Sequence, residues 1–419
     1  MASTAAAPEF LSFAEARERV MAAVRPLPSE RVSLDDALGR ALRSGMRAPH
    51  ALPPFANSAM DGVVVRAADL ASASEARPVT LDVVATIAAG HPAKRALQPG
   101  EAMRIMTGAP IPEGADTIVP VEDLHPPGPD APRLRFAHPV PRGEHVRNAG
   151  ADLTKDAPVF DAGRTLSPHD LALLASLGIA HVDAGPRPRV AILSTGDELL
   201  DVDAPLVPGA IRDSNTPLLR ALVGEAGGTV AHVERLSDDP DHVFLAIERA
   251  LANTDLVLTI GGVSAGTFDP VKLALDRLDG IALWRVAMKP GRPQAFGVRG
   301  AMFHGLPGNP ASVACVFDVL VRPALLAMAG HSVIERPHLP VRAGEEIASR
   351  EGRTDFIRVR LEHADAGWIA RPVGAQVSGH LTPQAFAHGL LEIPEERASL
   401  AAGEPATVRL WRWPEGSAA

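Results

Sequence analysis

Hydrophobic spacing along the chain changes character several times. Phe13, Ala16, Val20 and Val24 recur at helical intervals behind Ser12 and Glu15, which form a capping box, so a helix is expected over 12–24. A second helix is expected at Asp35–Leu42. From about Pro49 to Val146 the helical period gives way to short alternating runs broken by Pro and Gly. Examples are Gly62-Val-Val-Val-Arg, Val79-Thr-Leu-Asp-Val-Val-Ala and Thr117-Ile-Val-Pro-Val, the texture of a small β-rich module. Ser167-Pro-His-Asp then opens a helix with Pro at its first position, and Gly178 closes it.

Between residues 187 and 327 apolar runs and helical stripes alternate. Val190–Leu193, Thr229–Leu236 and Leu256–Ile260 read as strands, and Pro217–Ala226, Pro240–Ala252 and Pro270–Leu278 as helices. Ile281–Met288, Ala295–Val298 and Ala301–His304 follow as strands, then a long helix from about Pro310. Such alternation predicts βαβ units and a doubly wound, mainly parallel sheet with ligands at the carboxyl ends of its strands. From about Pro337 short strands return (Phe356–Leu361, Trp368–Pro372, Ala406–Trp413), predicting a small β-barrel or sandwich. The fold class expected is multidomain α/β plus β.

Composition narrows the functions. At 419 residues, with 46% hydrophobic and 22% charged positions, the chain is globular and long enough for two to four domains. A net charge of −9 argues against nonspecific nucleic-acid binding, so any anionic ligand needs a local basic cluster. Met1 to Pro8 has no basic region ahead of an apolar core, and no apolar run approaches a membrane span, so neither a signal peptide nor a membrane anchor is expected. The single cysteine, Cys315, sits in an apolar helical stretch and reads as core, which excludes a thiolate metal site. The 15 histidines show no paired ligand spacing.

Chemistry gathers around Asp255–Lys272. A strand, then Gly261 and Gly262, then a helix is the arrangement that aims backbone N–H groups at an anion. Ser264 adds a hydroxyl, and Asp269 a carboxylate suited to a divalent cation. The stretch lacks the Lys-Ser/Thr ending of a P-loop and the spacing of a dinucleotide fingerprint. Three further loops fall at strand ends: Thr195-Gly-Asp-Glu-Leu, Lys289-Pro-Gly-Arg-Pro and Leu306-Pro-Gly-Asn-Pro-Ala-Ser. On a parallel sheet all four converge on one edge. They offer carboxylates (Asp197, Glu198, Asp269), cations (Arg285, Lys289, Arg292) and a helix start at Asn309-Pro310. That set suits a phosphorylated anion with a divalent metal.

Ser58-Ala-Met-Asp-Gly, Met106-Thr-Gly-Ala, Arg147-x-x-Gly-x-Asp152, Ser194-Thr-Gly-Asp-Glu-Leu, Gly261-Gly-Val-Ser, Lys289-Pro-Gly-Arg-Pro and Leu306-Pro-Gly-Asn-Pro-Ala-Ser occur in this order. Gly352-Arg-Thr-Asp-Phe and Ser378-Gly-His follow in the tail. Together they resemble the molybdopterin molybdenumtransferases, the MoeA and gephyrin E-domain family, over nearly the whole chain. The resemblance implies insertion of molybdate into adenylylated molybdopterin, with Mg²⁺-dependent release of AMP. It also implies an elongated N-terminal region (1–48 and 147–186), the β-rich module (49–146), a molybdopterin-binding α/β domain (187–330) and a C-terminal β-barrel (331–419).

Carried over by position, Asp61, Thr107, Asp152, Glu198, Asp269, Arg285 and Lys289 match the family's active-site set, together with one of Asp238 and Asp239. The implied metal ligands are Glu198, Asp269 and Asp61. The implied cofactor-binding positions are Gly261, Gly262, Val263, Ser264, Pro290, Gly291, Pro307, Gly308, Asn309, Pro310, Ser312, Arg353 and Ser378. Lys289, Pro290, Arg353 and Ser378 are the candidates for a molybdate pocket. Arg285 and Arg292 stand where the family commonly has lysine, which turns a point donor into a planar fork.

The resemblance further implies a cytoplasmic homodimer with the site shared between subunits, and molybdopterin adenylyltransferase and molybdoenzyme apoproteins as partners. Two other readings stand beside it: an adenylyltransferase-like enzyme, whose loop reads Gly-Gly-Thr-Gly where this chain has Gly261-Gly-Val-Ser, and a non-catalytic dimeric scaffold.

Overall fold

Along the strand Arg189–Thr195 every residue after the first is buried, because both faces of its sheet are covered. Val190 and Ile192 belong to one apolar cluster with Leu219, Val223, Val313 and Phe317. Ala191 and Leu193 belong to another with Val243, Ile247, Val271 and Leu275. The strand Leu256–Ile260 repeats the pattern, with Leu256 and Leu258 in the first cluster and Val257 in the second. A period of two thus sorts neighbouring side chains into two cores. Helices Asn215–Glu225 and Pro310–Val316 roof one, and Pro240–Asn253 and Pro270–Leu275 the other. Each fully buried Val, Leu or Ile contributes roughly 1.5–3 kcal/mol. This is the doubly wound arrangement.

The computed structural model describes residues 8–124, 131–263, 270–365 and 367–415. They fall into two units, Gly45–Asp161 with Ala172–Ala180, and Met1–Ser44 with Ala162–Leu171 and His181–Ala419.

In the larger unit four strands run parallel in the order Thr229–Leu236, Arg189–Thr195, Leu256–Ile260, Ala301–Leu306. The sheet then turns antiparallel through Pro293–Arg299 and Ile281–Lys289. Connection length explains the switch: only Gly300, and only Pro290 to Arg292, separate these strands, whereas a parallel crossover needs about a dozen residues. Glu9–Ser12 adds to the far side, parallel to Ile281–Lys289.

The tail closes on itself. Thr354–Ala364, Gly367–Pro372, His338–Ala343, Pro405–Leu410 and Gly389–Ile393 pair in a ring that returns to Thr354–Ala364, a barrel rather than a sandwich. Its interior holds Ile357, Val359, Leu391 and Val408. One ladder ties it to the α/β sheet, with Met288 opposite Thr354 and Lys289 opposite Asp355.

The first helix, Phe13–Ala23, carries the expected cap: Glu15 N–H donates to Ser12 Oγ, and Ser12 N–H donates to Glu15 Oε2. The second is only Leu34–Ala37, because Leu38 leaves helical geometry and Gly39 sits at φ +74°. The long run from Pro310 is interrupted by a π-turn at Phe317–Val321 ahead of Arg322–Met328. Pro323, which has no N–H to donate, lies where the π-turn ends. Pro310–Met328 is long and apolar enough to cross a membrane, yet it is 89% buried within the protein.

The smaller unit is built on a five-stranded sheet ordered Thr117–Pro120, Gly62–Val65, Glu101–Ile105, Val79–Ile87, Arg133–Phe136. Val63 and Val65 pack in one cluster and Val64 in the other, so this sheet too is covered on both faces.

Candidate functional site: two cavities and an anchored carboxylate

The four neighbouring parallel strands of the larger unit end at a cavity of about 790 Å³. Glu198, Asp238, Gly261, Gly262, Gly308, Asn309 and Pro310 line it, which brings together loops far apart in sequence. Asp213 and Asn215 join them, two residues that the spacing analysis did not single out. Asp213 Oδ1 accepts from the N–H groups of Asn215 and Thr216, and Asn215 Nδ2 donates to the Gly308 carbonyl at 2.7 Å. The signal was present: Asp213-Ser-Asn-Thr-Pro is a helix-start sequence two residues ahead of the expected boundary.

Glu198 does not start a helix. It precedes Leu199–Leu200, a strand segment paired with Ile211–Arg212. Its carboxylate folds back over Gly196, at φ +138°, where a β-carbon would collide with it. Asp238 and Asp239 take different parts. Asp238 lines the cavity, while Asp239 caps the helix Pro240–Asn253 by accepting from Asp241 N–H at 3.0 Å. Val263 has its side chain in the second apolar core and does not line this cavity. Ser264 and Asp269 lie outside the described residues.

A second cavity, of about 880 Å³, lies where the α/β domain meets the barrel. Arg285, Lys289, Pro290, Gly291, Pro307, Asn309, Ser312, Arg353 and Ser378 line it, with Arg292 and Arg350 as further cations and Glu351 and Glu395 as carboxylates. The loops expected to meet at one place therefore divide between two cavities, and Asn309 borders both. Asn309 Nδ2 donates to Ser378 Oγ at 3.0 Å, and Ala311 N–H donates to the Ser378 carbonyl. Buried Arg358 steadies the same loop by donating to the carbonyls of Ala375, Val377 and His380. Arg353 is not a lone cation: it forks onto buried Asp355, Nε to Oδ1 at 2.7 Å and Nη2 to Oδ2 at 3.1 Å. That fork fixes its plane and partly neutralises it. Arg285 lies over the exposed ring of Phe10, 5.5 Å from its centroid.

In the smaller unit Asp61 and Thr107 meet directly. Thr107 donates to Asp61 Oδ1 from its backbone N–H at 2.6 Å and from its hydroxyl at 2.7 Å. The backbone bond first, and then the hydroxyl, hold this carboxyl below the usual range, so Asp61 is a fixed anion. The pairing of Val146–Arg147 with Asn57–Ser58 brings Arg147 to the same end of the unit. Asp152 is exposed and bonds through its backbone to the Leu52 carbonyl.

Among the described residues no three His, Cys, Asp or Glu side chains form a preassembled metal cluster. The lining of the first cavity still fits a magnesium ion. Mg²⁺ keeps several waters and takes one or two carboxylates besides phosphate oxygens. Glu198 and Asp238 supply hard oxygens, and the bare Cα of Gly196 leaves room for the Glu198 carboxylate. The cavities thus differ in balance: carboxylates and glycine backbone outnumber the lone Arg212 in one, and cations outnumber Glu351 and Glu395 in the other.

Comparison with known proteins agrees. Residues 11–178 match the family described as MoeA N-terminal region (domain I and II), residues 191–327 a probable molybdopterin binding domain, and residues 340–411 the MoeA C-terminal region (domain IV). A molybdopterin molybdenumtransferase 2 of Mycobacterium tuberculosis is 40% identical over 92% of this chain and 95% of its own. A molybdopterin molybdenumtransferase of Bacillus subtilis is 34% identical over 96% and 94%. The crystal structure of a molybdopterin biosynthesis MoeA protein from Pyrococcus horikoshii superposes with a TM-score of 0.82 at 32% identity, covering 97% of this chain and all of the other. With three regions matched in order along the chain and relatives covered almost end to end, this chain belongs to the MoeA family of molybdopterin molybdenumtransferases.

Proposed function

We propose that the protein inserts molybdate into adenylylated molybdopterin during molybdenum cofactor biosynthesis, releasing AMP with the help of Mg²⁺. The observation that carries this reading is the cation-lined cavity abutting the carboxylate-lined one at Asn309. A tetrahedral dianion needs converging cationic donors, and Lys289, Arg292 and Arg285 offer them beside Ser378, in a lining where cations outnumber Glu351 and Glu395. A phosphoanhydride needs backbone N–H groups and a divalent ion, and the Gly261–Gly262 turn with Glu198 and Asp238 suits both. When bound, Mg²⁺ would neutralise charge on the phosphates. Glu198 and Asp238 would hold it, while the glycine turn positions the anhydride.

The direct test is incubation with adenylylated molybdopterin, molybdate and Mg²⁺, following AMP. An adenylyltransferase would consume ATP instead, and a scaffold would release nothing. AMP release that ignores molybdate would sink the reading.

We further propose a cytoplasmic homodimer in which Asp61 of one subunit serves the cavity of the other. Molybdopterin adenylyltransferase and molybdoenzyme apoproteins are the expected partners. A twofold axis makes two equivalent clefts, each built from both chains. Asp61→Asn and Glu198→Gln, each inactive alone, would then complement when co-expressed. A mixed dimer carries both lesions in one cleft and none in the other. With random pairing about half the dimers are mixed, so activity returns to roughly a quarter of wild type. Mixed dimers without recovered activity would overturn the shared site.

A further inference from the structure

The turn that carries Lys289 and Arg292 into the cationic cavity has support behind it that its own residues do not provide. Val286 N–H closes the turn on the Arg292 carbonyl at 2.8 Å. The Gly291 carbonyl accepts from Gln294 Nε2 at 2.7 Å, and Gln294 is 0% exposed. Gln294 Oε1 lies 2.9 Å from Nε2 of His304, itself 1% exposed. The amide nitrogen of Gln294 is committed to Gly291, with Met288 Sδ also 3.2 Å away, so its oxygen must accept and His304 Nε2 must carry the proton. His304 Nδ1 is then a bare lone pair with no hydrogen-bond partner among the described residues.

Stability alone does not call for such a pair. Its surroundings are aromatic: Phe296 stacks edge-on to His304 at 5.6 Å, and Trp284 packs against Phe296 at 4.8 Å. Two apolar side chains of like size would avoid the orphaned nitrogen, and such replacements are often neutral. What the pair supplies is a donor aimed at one carbonyl. Gly291 cannot fix that carbonyl itself, since it sits at φ +108° and a β-carbon there would strike Val316. We propose that Gln294 and His304 are positioning residues for oxyanion capture: they lock the Gly291 peptide and thereby set Lys289 and Arg292 across the cavity. The pair does this without adding charge, because burial pushes the His304 imidazole down to about 3 and keeps it neutral.

The proposal rests on the cationic cavity taking molybdate, and its test separates the two ideas. Gln294→Met, His304→Phe and the double variant would be compared as full-length protein by thermal melting, by calorimetric titration with sodium molybdate, and by hydrogen exchange over the 289–292 turn. Each single change orphans a buried polar partner and should lower Tm by several degrees. The double variant removes both partners and should recover much of that loss. Its molybdate Kd and the molybdate KM of AMP release should stay raised about tenfold, the scale of one hydrogen bond to a charged-site scaffold. The KM for adenylylated molybdopterin should not move, and the turn should exchange faster. A double variant with wild-type molybdate Kd and wild-type exchange overturns the proposal. If wild-type protein binds no molybdate, the reading of the cavity falls, and faster or unchanged exchange in the turn still decides the positioning role.

Discussion

The two cavities of the larger unit are of similar size and share Asn309, yet they are built from different materials. The carboxylate cavity is made at the ends of parallel strands, where Gly196, Gly261 and Gly262 leave backbone exposed. The cationic cavity is made where the antiparallel strands meet the barrel, and long charged side chains fill it. The first presents mainly backbone and carboxylates, which suits a phosphate and its metal. The second presents mainly guanidinium and ammonium groups, which suit an oxyanion. Keeping the charges apart prevents Glu198 and Asp238 from neutralising Lys289. It also predicts that damage to either cavity should have its own kinetic signature.

The largest effect should come from Glu198→Gln, which keeps size and removes charge. AMP release should fall on the order of a hundredfold, as for other lost electrostatic groups in active sites. The molybdate Kd should hold, and a parallel loss of molybdate binding would break the division. Lys289→Ala is the mirror experiment. It should raise the molybdate concentration for half-maximal AMP release about tenfold, and an effect confined to the pterin KM would remove Lys289 from the oxyanion site. A smaller change, about fivefold in AMP release, is expected for Gly196→Ala, because a β-carbon there pushes the Glu198 carboxylate aside without deleting it. Wild-type rates in that variant would show that the folded-back carboxylate is not the working one.

The smallest effect concerns acid stability. Buried His304 holds a folded-state pKa of about 3 against an ordinary 6.5, and burial also lowers that of His331. The unfolded chain therefore takes up these protons first as pH falls. The His304 contribution is present above about 6.5 and is lost on the way down to about 3, and His331 acts in the same direction. His304→Phe should flatten the fall in Tm between these limits, leaving the His331 part. An unchanged slope would mean that His304 is solvated in the folded protein.

Much of this was legible from sequence. The Ser12–Glu15 cap and the strand Thr229–Leu236 have local signatures, and the sequence-expected extents fit closely. The antiparallel hairpins were not read, although their short connections were visible. The meeting of Asp61 with Thr107, 46 residues apart, followed only from the family pattern, since neither residue has a local signature. Two kinds of feature escaped. One is partnership across elements: the Arg353–Asp355 fork sits on neighbouring residues, but the burial that strengthens it comes from the barrel. The other is polar support inside apolar strands. Gln294 and His304 lie in runs read simply as strands, and nothing in a period of two shows that their side chains meet.

The ladder joining Lys289 to Asp355 has a consequence for protein engineering. A barrel that hung from a linker could be exchanged between relatives like a cartridge. Here the barrel's own strand is stitched to the residue that supplies a cation, and the same strand edge holds the aspartate that orients Arg353. Grafts should therefore be cut on the far side of this seam, so that Ile281–Lys289 and Thr354–Ala364 travel together. Chimeras cut between them should fold both halves and still align the cavity poorly.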